Sequence, residues 1–185
     1  MMRQIIWLAL VPLCGCVPVV ANLYQPLGPG DIKPQHGGAC SMAPSVQITQ
    51  HLPSHVDIEV TAFAKTPGIA QAVITVHINV PAGTTVQLTE PTITLREGPS
   101  APAIRIRIDR IRKPRTIING QVSDYLEPGA PLIGPVGYGI EVELPHDNPA
   151  ELIFTSPPLD IDGQHVEVEP MEFVLKTRLH VTGVC

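Results

Sequence analysis

Aromatic residues are scarce in this chain. One Trp, three Tyr and three Phe make up 4% of the 185 residues, and the lone Trp7 falls in the first ten. Stacking platforms for sugars or bases are built from such rings, so a broad stacking surface is not expected. Charge is thin as well. Charged residues are 16% of the chain and the formal net charge is −5. A mildly acidic chain lacks the basic footprint of a nucleic-acid binder, and no nucleic acid is expected as a partner. No apolar run reaches the roughly 20 residues that a membrane-spanning helix needs. A nucleophile elbow, a Walker loop and a dinucleotide fingerprint are all missing. Twenty-one prolines argue against long helices.

What is present is alternation. Val56, Ile58 and Val60 alternate with Asp57, Glu59 and Thr61. Ile74, Val76, Ile78 and Val80 alternate with Thr75, His77 and Asn79. The same period of two runs through Ile104–Ile108, Ile140–Leu144 and Phe173–Val181. Strands with one buried and one wet face read this way. Turn signals lie between them, among them Pro81-Ala82-Gly83, Glu97-Gly98-Pro99, Asn119-Gly120, Asp147-Asn148-Pro149 and Asp162-Gly163. The pattern predicts an all-β fold, an antiparallel immunoglobulin-like β-sandwich of roughly eight to ten short strands with little helix. A closed barrel is the alternative.

The N-terminus differs from the rest. Arg3 precedes Ile5–Cys16, a run of 12 apolar or small residues that contains Pro12. A basic start, a short apolar segment and small residues at its end make a secretory signal peptide. The segment Leu13-Cys14-Gly15-Cys16 resembles the lipobox of bacterial lipoproteins. The resemblance implies that Leu13 is the apolar anchor of the motif, Gly15 the small residue before the cut, and Cys16 the lipidated first residue of the mature chain. Cys14 stands at the tolerant position. The motif covers only the first 16 residues. Two other outcomes remain open at this point. An ordinary signal peptidase cutting after Val19-Val20-Ala21 releases a protein starting at Asn22, or the segment stays uncleaved as a weak anchor. One acyl chain holds a protein to a membrane only marginally and two or more hold it firmly. Val17 follows Cys16 where the enterobacterial pattern places an Asp for inner-membrane retention. The resemblance therefore implies a lipid anchor in the outer membrane of a bacterial cell envelope, with the domain in the periplasm or at the surface.

The domain plan follows: 1–15 a lipoprotein signal peptide, 16–39 the lipidated Cys and a Pro/Gly-rich tether, 40–185 the sandwich. Loss of 1–15 leaves 170 residues, enough for one domain with a real core. It also leaves three cysteines, of which Cys16 is to carry lipid. The bacterial periplasm is oxidising. A Cys40–Cys185 disulfide tying the ends of the domain together is expected.

Residues 104–115, IRIRIDRIRKPR, are the densest basic stretch in this acidic protein. Arg105 and Arg107 read as a charge ladder against Glu141 and Glu143, or Glu167 and Glu169, on neighbouring strands. The parity breaks after Asp109. A bulge or strand end there turns Arg110 and Arg112 outward. Arg110, Arg112, Lys113 and Arg115 are therefore the candidates for contact with an anion or a partner. Seven His raise the question of a metal. His51 and His55 are four apart with Pro53 between them, and nothing at motif spacing completes a site; no metal and no cofactor is expected. Asp160-Ile161-Asp162-Gly163 reads as a hairpin turn. Residues 124–139, DYLEPGAPLIGPVGYG, form the most irregular stretch and are apolar for a loop. They are expected to pack over the end of the sandwich.

The leading expectation is a non-catalytic envelope lipoprotein whose sandwich contacts another envelope protein or an anionic glycolipid. The alternatives are a small-ligand or glycan-binding module with 124–139 as a lid, and an unrecognised hydrolase with scattered catalytic residues.

Overall fold

The computed structural model describes residues 16–35, 45–66, 69–118 and 121–183. Within them the regular structure is strand, apart from one 3-10 turn at Pro53–His55. In chain order the strands are β1 (Cys16–Leu27), β2 (Asp31–Gln35), β3 (Ser45–His51), β4 (Asp57–Phe63), β5 (Val73–Val80), β6 (Thr85–Leu88), β7 (Thr92–Arg96) and β8 (Ile104–Arg107). They continue as β9 (Ile111–Ile118), β10 (Gln121–Leu126), β11 (Leu132–Ile133), β12 (Val136–Glu143), β13 (Glu151–Thr155), β14 (Leu159–Ile161), β15 (Gln164–Val166) and β16 (Met171–Gly183). The fold is an antiparallel all-β sandwich, as the alternation predicted. Its sixteen described strands exceed the expected eight to ten, because several are pieces of two to four residues.

The strands form three sheets. The first has the order β1-β16-β13-β7-β8, the second β10-β9-β12-β5-β4-β3-β2, and a small third β11-β6-β14-β15. One continuous core joins all three. It holds Leu95, Phe154 and Phe173 from the first sheet, Ile48, Ile58 and Ile74 from the second, and Val86, Leu132 and Leu159 from the third. Burying each such side chain contributes about 1.5–3 kcal/mol. Along β5, Ile74, Val76, Ile78 and Val80 turn inward while His77 faces solvent, so the period of two is realised residue by residue.

Residues 16–39 are not a tether over their described part. Cys16–Leu27 is β1, which pairs with β16 through twelve rungs, from Cys16↔Gly183 to Leu27↔Glu172. Asp31–Gln35 is β2, paired with β3. Tyr24 is 1% exposed and its hydroxyl donates to the Pro149 carbonyl at 2.9 Å. Burial, and then the Glu97 carboxylate, push that phenol far above its ordinary pKa. The prolines that hide this segment's strand character sit where strands tolerate them. β1 and β2 are the edge strands of their sheets, and an edge strand has one row of N–H groups with no ladder to serve. Residues 36–44 lie outside the description.

The chain passes from the first sheet to the second at two places. Gly28–Gly30 links β1 to β2, and Ile108–Arg110 links β8 to β9. Gly30 is required at the first crossing. Its φ is +127°, and a Cβ there would stand 2.8 Å from the Thr49 carbonyl oxygen. The second crossing shapes the site.

Candidate binding groove

β9 pairs with β12 through a single residue pair, Gly139↔Arg112. On its other side β12 pairs with β5 along its whole length, Val136↔Val80 to Glu143↔Val73. Arg112 is the second residue of β9. Before it the chain swings away through Ile108–Arg110 to join β8, whose only partner among the described strands is β7. Between the departing chain and β12 lies a groove of about 650 Å³. One wall is the run Ile106–Arg110 and the other is Gly139–Glu143. Thr75, His77, Arg112 and Tyr125 complete it.

The main chain faces this groove as well as the side chains. Leu144 N–H donates to the Ala72 carbonyl, toward β5. N–H and C=O directions alternate along an antiparallel strand, so Ile140 and Val142 also aim at β5. Glu141 and Glu143 therefore turn both their N–H and C=O groups to the groove. On the other wall Ile108 N–H donates to the Pro91 carbonyl, toward β7. By the same parity the main chain of Arg107 points outward. Two strand edges without a partner among the described residues thus border one groove.

The side chains give it charge. Arg110 and Arg112 are exposed, as the break in parity predicted, because β8 ends at Arg107 and β9 begins with the fully buried Ile111. The Arg110 guanidinium lies 4.5 Å from the centroid of the Tyr125 ring, and Tyr125 is the cross-strand neighbour of Arg112. A guanidinium held over an aromatic face keeps its N–H edge free for an anion. Among the described residues no ion pair engages Arg107, Arg110 or Arg112. Glu141 and Glu143 lie along β12 beyond Gly139, so the groove is bipolar, basic at the Arg112 end and acidic at the other.

The other expected site residues fall as follows. Lys113 is half-buried and does not line the groove. Arg115 belongs to β9, but its side chain lies outside the description. So does that of Cys16, the first residue of β1, while Cys40 and Cys185 lie outside the described residues altogether. The ladder expected between Arg105 or Arg107 and Glu141 or Glu143 is not formed. β8 pairs with β7 rather than β12, and Arg105 instead meets Glu90 at 2.9 Å. Asp160–Gly163 is the hairpin between β14 and β15, with the Asp160 carboxylate accepting from Gly163 N–H at 2.7 Å. The 124–139 stretch is tied down. Leu132 is fully buried, and the Tyr138 hydroxyl bonds both the N–H and the carbonyl of Ile133.

Sequence reasoning missed Arg107, Tyr125, Gly139 and the two Glu as parts of this site. The break in parity after Asp109 was the one signal that pointed there. Elsewhere, His51 bridges Asp57 at 2.6 Å and Asp31 at 3.2 Å, and these hydrogen bonds, Asp57 first, raise its pKa. No cluster of three or more residues suited to a metal ion occurs among the described residues. No described helix is long and apolar enough to cross a membrane. The chain matches no family model, no curated protein and no solved structure.

Proposed function

We propose that the protein is a lipid-anchored component of a bacterial cell envelope, attached through Cys16 to the outer membrane, whose sandwich serves as a non-catalytic docking domain for another envelope protein. The observation that carries the docking role is the groove beside Gly139. Three guanidiniums without ion-pair partners among the described residues and two open strand edges converge there. Exposed edges are a hazard that proteins cover or use.

The anchor rests on the lipobox resemblance, and the β1–β16 ladder supports it. A cut before Cys16 leaves the twelve described rungs in place, whereas a cut after Ala21 removes the six from Cys16 to Ala21. Lipid on Cys16 then sits at the very end of the β1–β16 ribbon, which holds the domain close to the bilayer. The intact mass of protein extracted from native membranes tests this. A mass starting at Cys16 with acyl chains supports the anchor, and a mass starting at Asn22 without lipid refutes it. The docking role predicts that a partner recovered with the wild-type protein is lost with Arg110→Glu plus Arg112→Glu. Retention of the partner by that variant would refute it.

A further inference from the structure

We infer that the groove receives an extended polypeptide segment, which adds as a strand to the open edge of β12 and ends in a carboxylate held by Arg110 and Arg112. The inference rests on the docking role proposed above and names its occupant.

Three features define that occupant. The first is the edge. Glu141 and Glu143 present four main-chain groups, two N–H and two C=O, on the same edge that β9 joins antiparallel at Gly139. Only an extended chain satisfies such a row, and strand addition of this kind derives its affinity from main-chain hydrogen bonds. The second is the stop. Arg112 already holds the position opposite Gly139, and Ile108–Arg110 crosses in front of it. An incoming strand cannot run past this point, so it ends or turns out there. The third is charge. A strand antiparallel to β12 runs from Glu143 toward Gly139 and brings its C-terminal end to Arg110 and Arg112. There the guanidinium stacked on Tyr125 is oriented to receive a carboxylate. The residues directly opposite Glu141 and Glu143 share their outer face, and opposite charges favour each other at such positions. The segment therefore carries Lys or Arg at alternate positions and a carboxylate at its end. That carboxylate is either the chain terminus or the side chain of an acidic residue.

The test uses the full-length protein in detergent and three synthetic heptapeptides of alternating lysine and valine. One has a free C-terminal carboxylate, one is its C-terminal amide, and one is an amide whose last residue is aspartate. Binding is followed by fluorescence anisotropy and by amide exchange at Glu141 and Glu143. The free acid, the aspartate amide or both should bind at least about tenfold more tightly than the plain amide, and should slow exchange at both amides. Preference between the first two tells a chain terminus from an acidic side chain. Arg110→Glu with Arg112→Glu should weaken binding about tenfold or more. So should Glu141→Pro, which deletes an N–H aimed into the groove and leaves the ladder to β5 intact. Equal binding of all three peptides would overturn the inference. Binding unaffected by either variant would also overturn it, as would no binding by any peptide up to about 1 mM, the weak end of specific recognition. None of these readouts depends on the lipid, so the anchor stands or falls separately by its mass. The docking role is tested separately, and it falls if the native partner ignores the two Arg substitutions.

Discussion

The two crossings from the first sheet to the second solve the same topological problem with opposite results. At Gly28–Gly30 the chain leaves one completely paired edge strand and enters another. β1 keeps twelve rungs with β16, and β2 keeps five with β3. No inner strand is left bare there, and the buried Tyr24 lies close behind the crossing in β1. At Ile108–Arg110 the chain leaves β8 after four residues and meets β12 at one residue pair. An inner strand is uncovered there. The first crossing is held by a left-handed glycine in close contact with β3. The second carries Asp109 and Arg110 into solvent and seats only Ile108 in the core. A sandwich can thus be sealed on one flank and open on the other with the same type of connection. What differs is how soon the crossing strand rejoins a neighbour.

Substitutions at the two crossings sharpen this contrast. The largest effect is expected at Gly30. Gly30→Ala places a Cβ against the Thr49 carbonyl at a strained φ, and should cost about 2–4 kcal/mol in denaturant unfolding. A cost below about 0.5 kcal/mol, typical of a neutral surface site, would mean that the first crossing is not held as described. Tyr24→Phe comes next. It strands the Pro149 carbonyl and should cost about 1–2 kcal/mol.

At the second crossing the same measurements should barely move. Tyr125→Ala removes the ring under Arg110 and should cost about 0.5–1 kcal/mol. Arg110→Ala with Arg112→Ala should stay within about 0.5 kcal/mol of wild type while weakening peptide binding about tenfold. A large loss of stability in that double variant would make the two arginines structural and erase the distinction between the flanks.

The smallest effect belongs to the exposed His51, which ties Asp31 of β2 to Asp57 of β4. Its folded pKa is raised above the ordinary 6.5. Its stabilising contribution is therefore complete below pH 6.5 and is lost as pH rises through the raised value. Amide protection at Lys33, whose N–H is aimed at the Gln47 carbonyl of β3, corrected for intrinsic exchange, should fall over that interval in wild type and stay flat in His51→Gln. The same slope in both would remove His51 from the account.

These contrasts also show what the amino-acid sequence discloses. Strands buried on one face declare themselves, because the core imposes the period of two on Ile58, Ile74, Ile78 and Ile140 directly. β1 does not. Its Pro18 and Pro26 are tolerated only because it is an edge, and edge position is a property of the whole sheet rather than of the segment. The groove is half legible. The phase slip between Ile108 and Ile111 is visible in the residues, and it correctly turned Arg110 and Arg112 outward. The bare edge at Glu141 and Glu143 is not visible, since their alternation is the same whether or not a neighbour is present. The ladder between Arg105 and Glu141 or Glu143 failed for a related reason. Matching spacing on two strands does not say whether those strands are neighbours.

The open edge of β12 is the central claim, and residue-resolved amide hydrogen exchange on the unliganded full chain tests it most directly. Ile140 and Val142, whose N–H groups are paired with β5, should exchange slowly, while Glu141 and Glu143 exchange at least about a hundredfold faster. Uniform protection across these four residues would show that the edge is already covered, and would contradict the groove as a place where another chain docks.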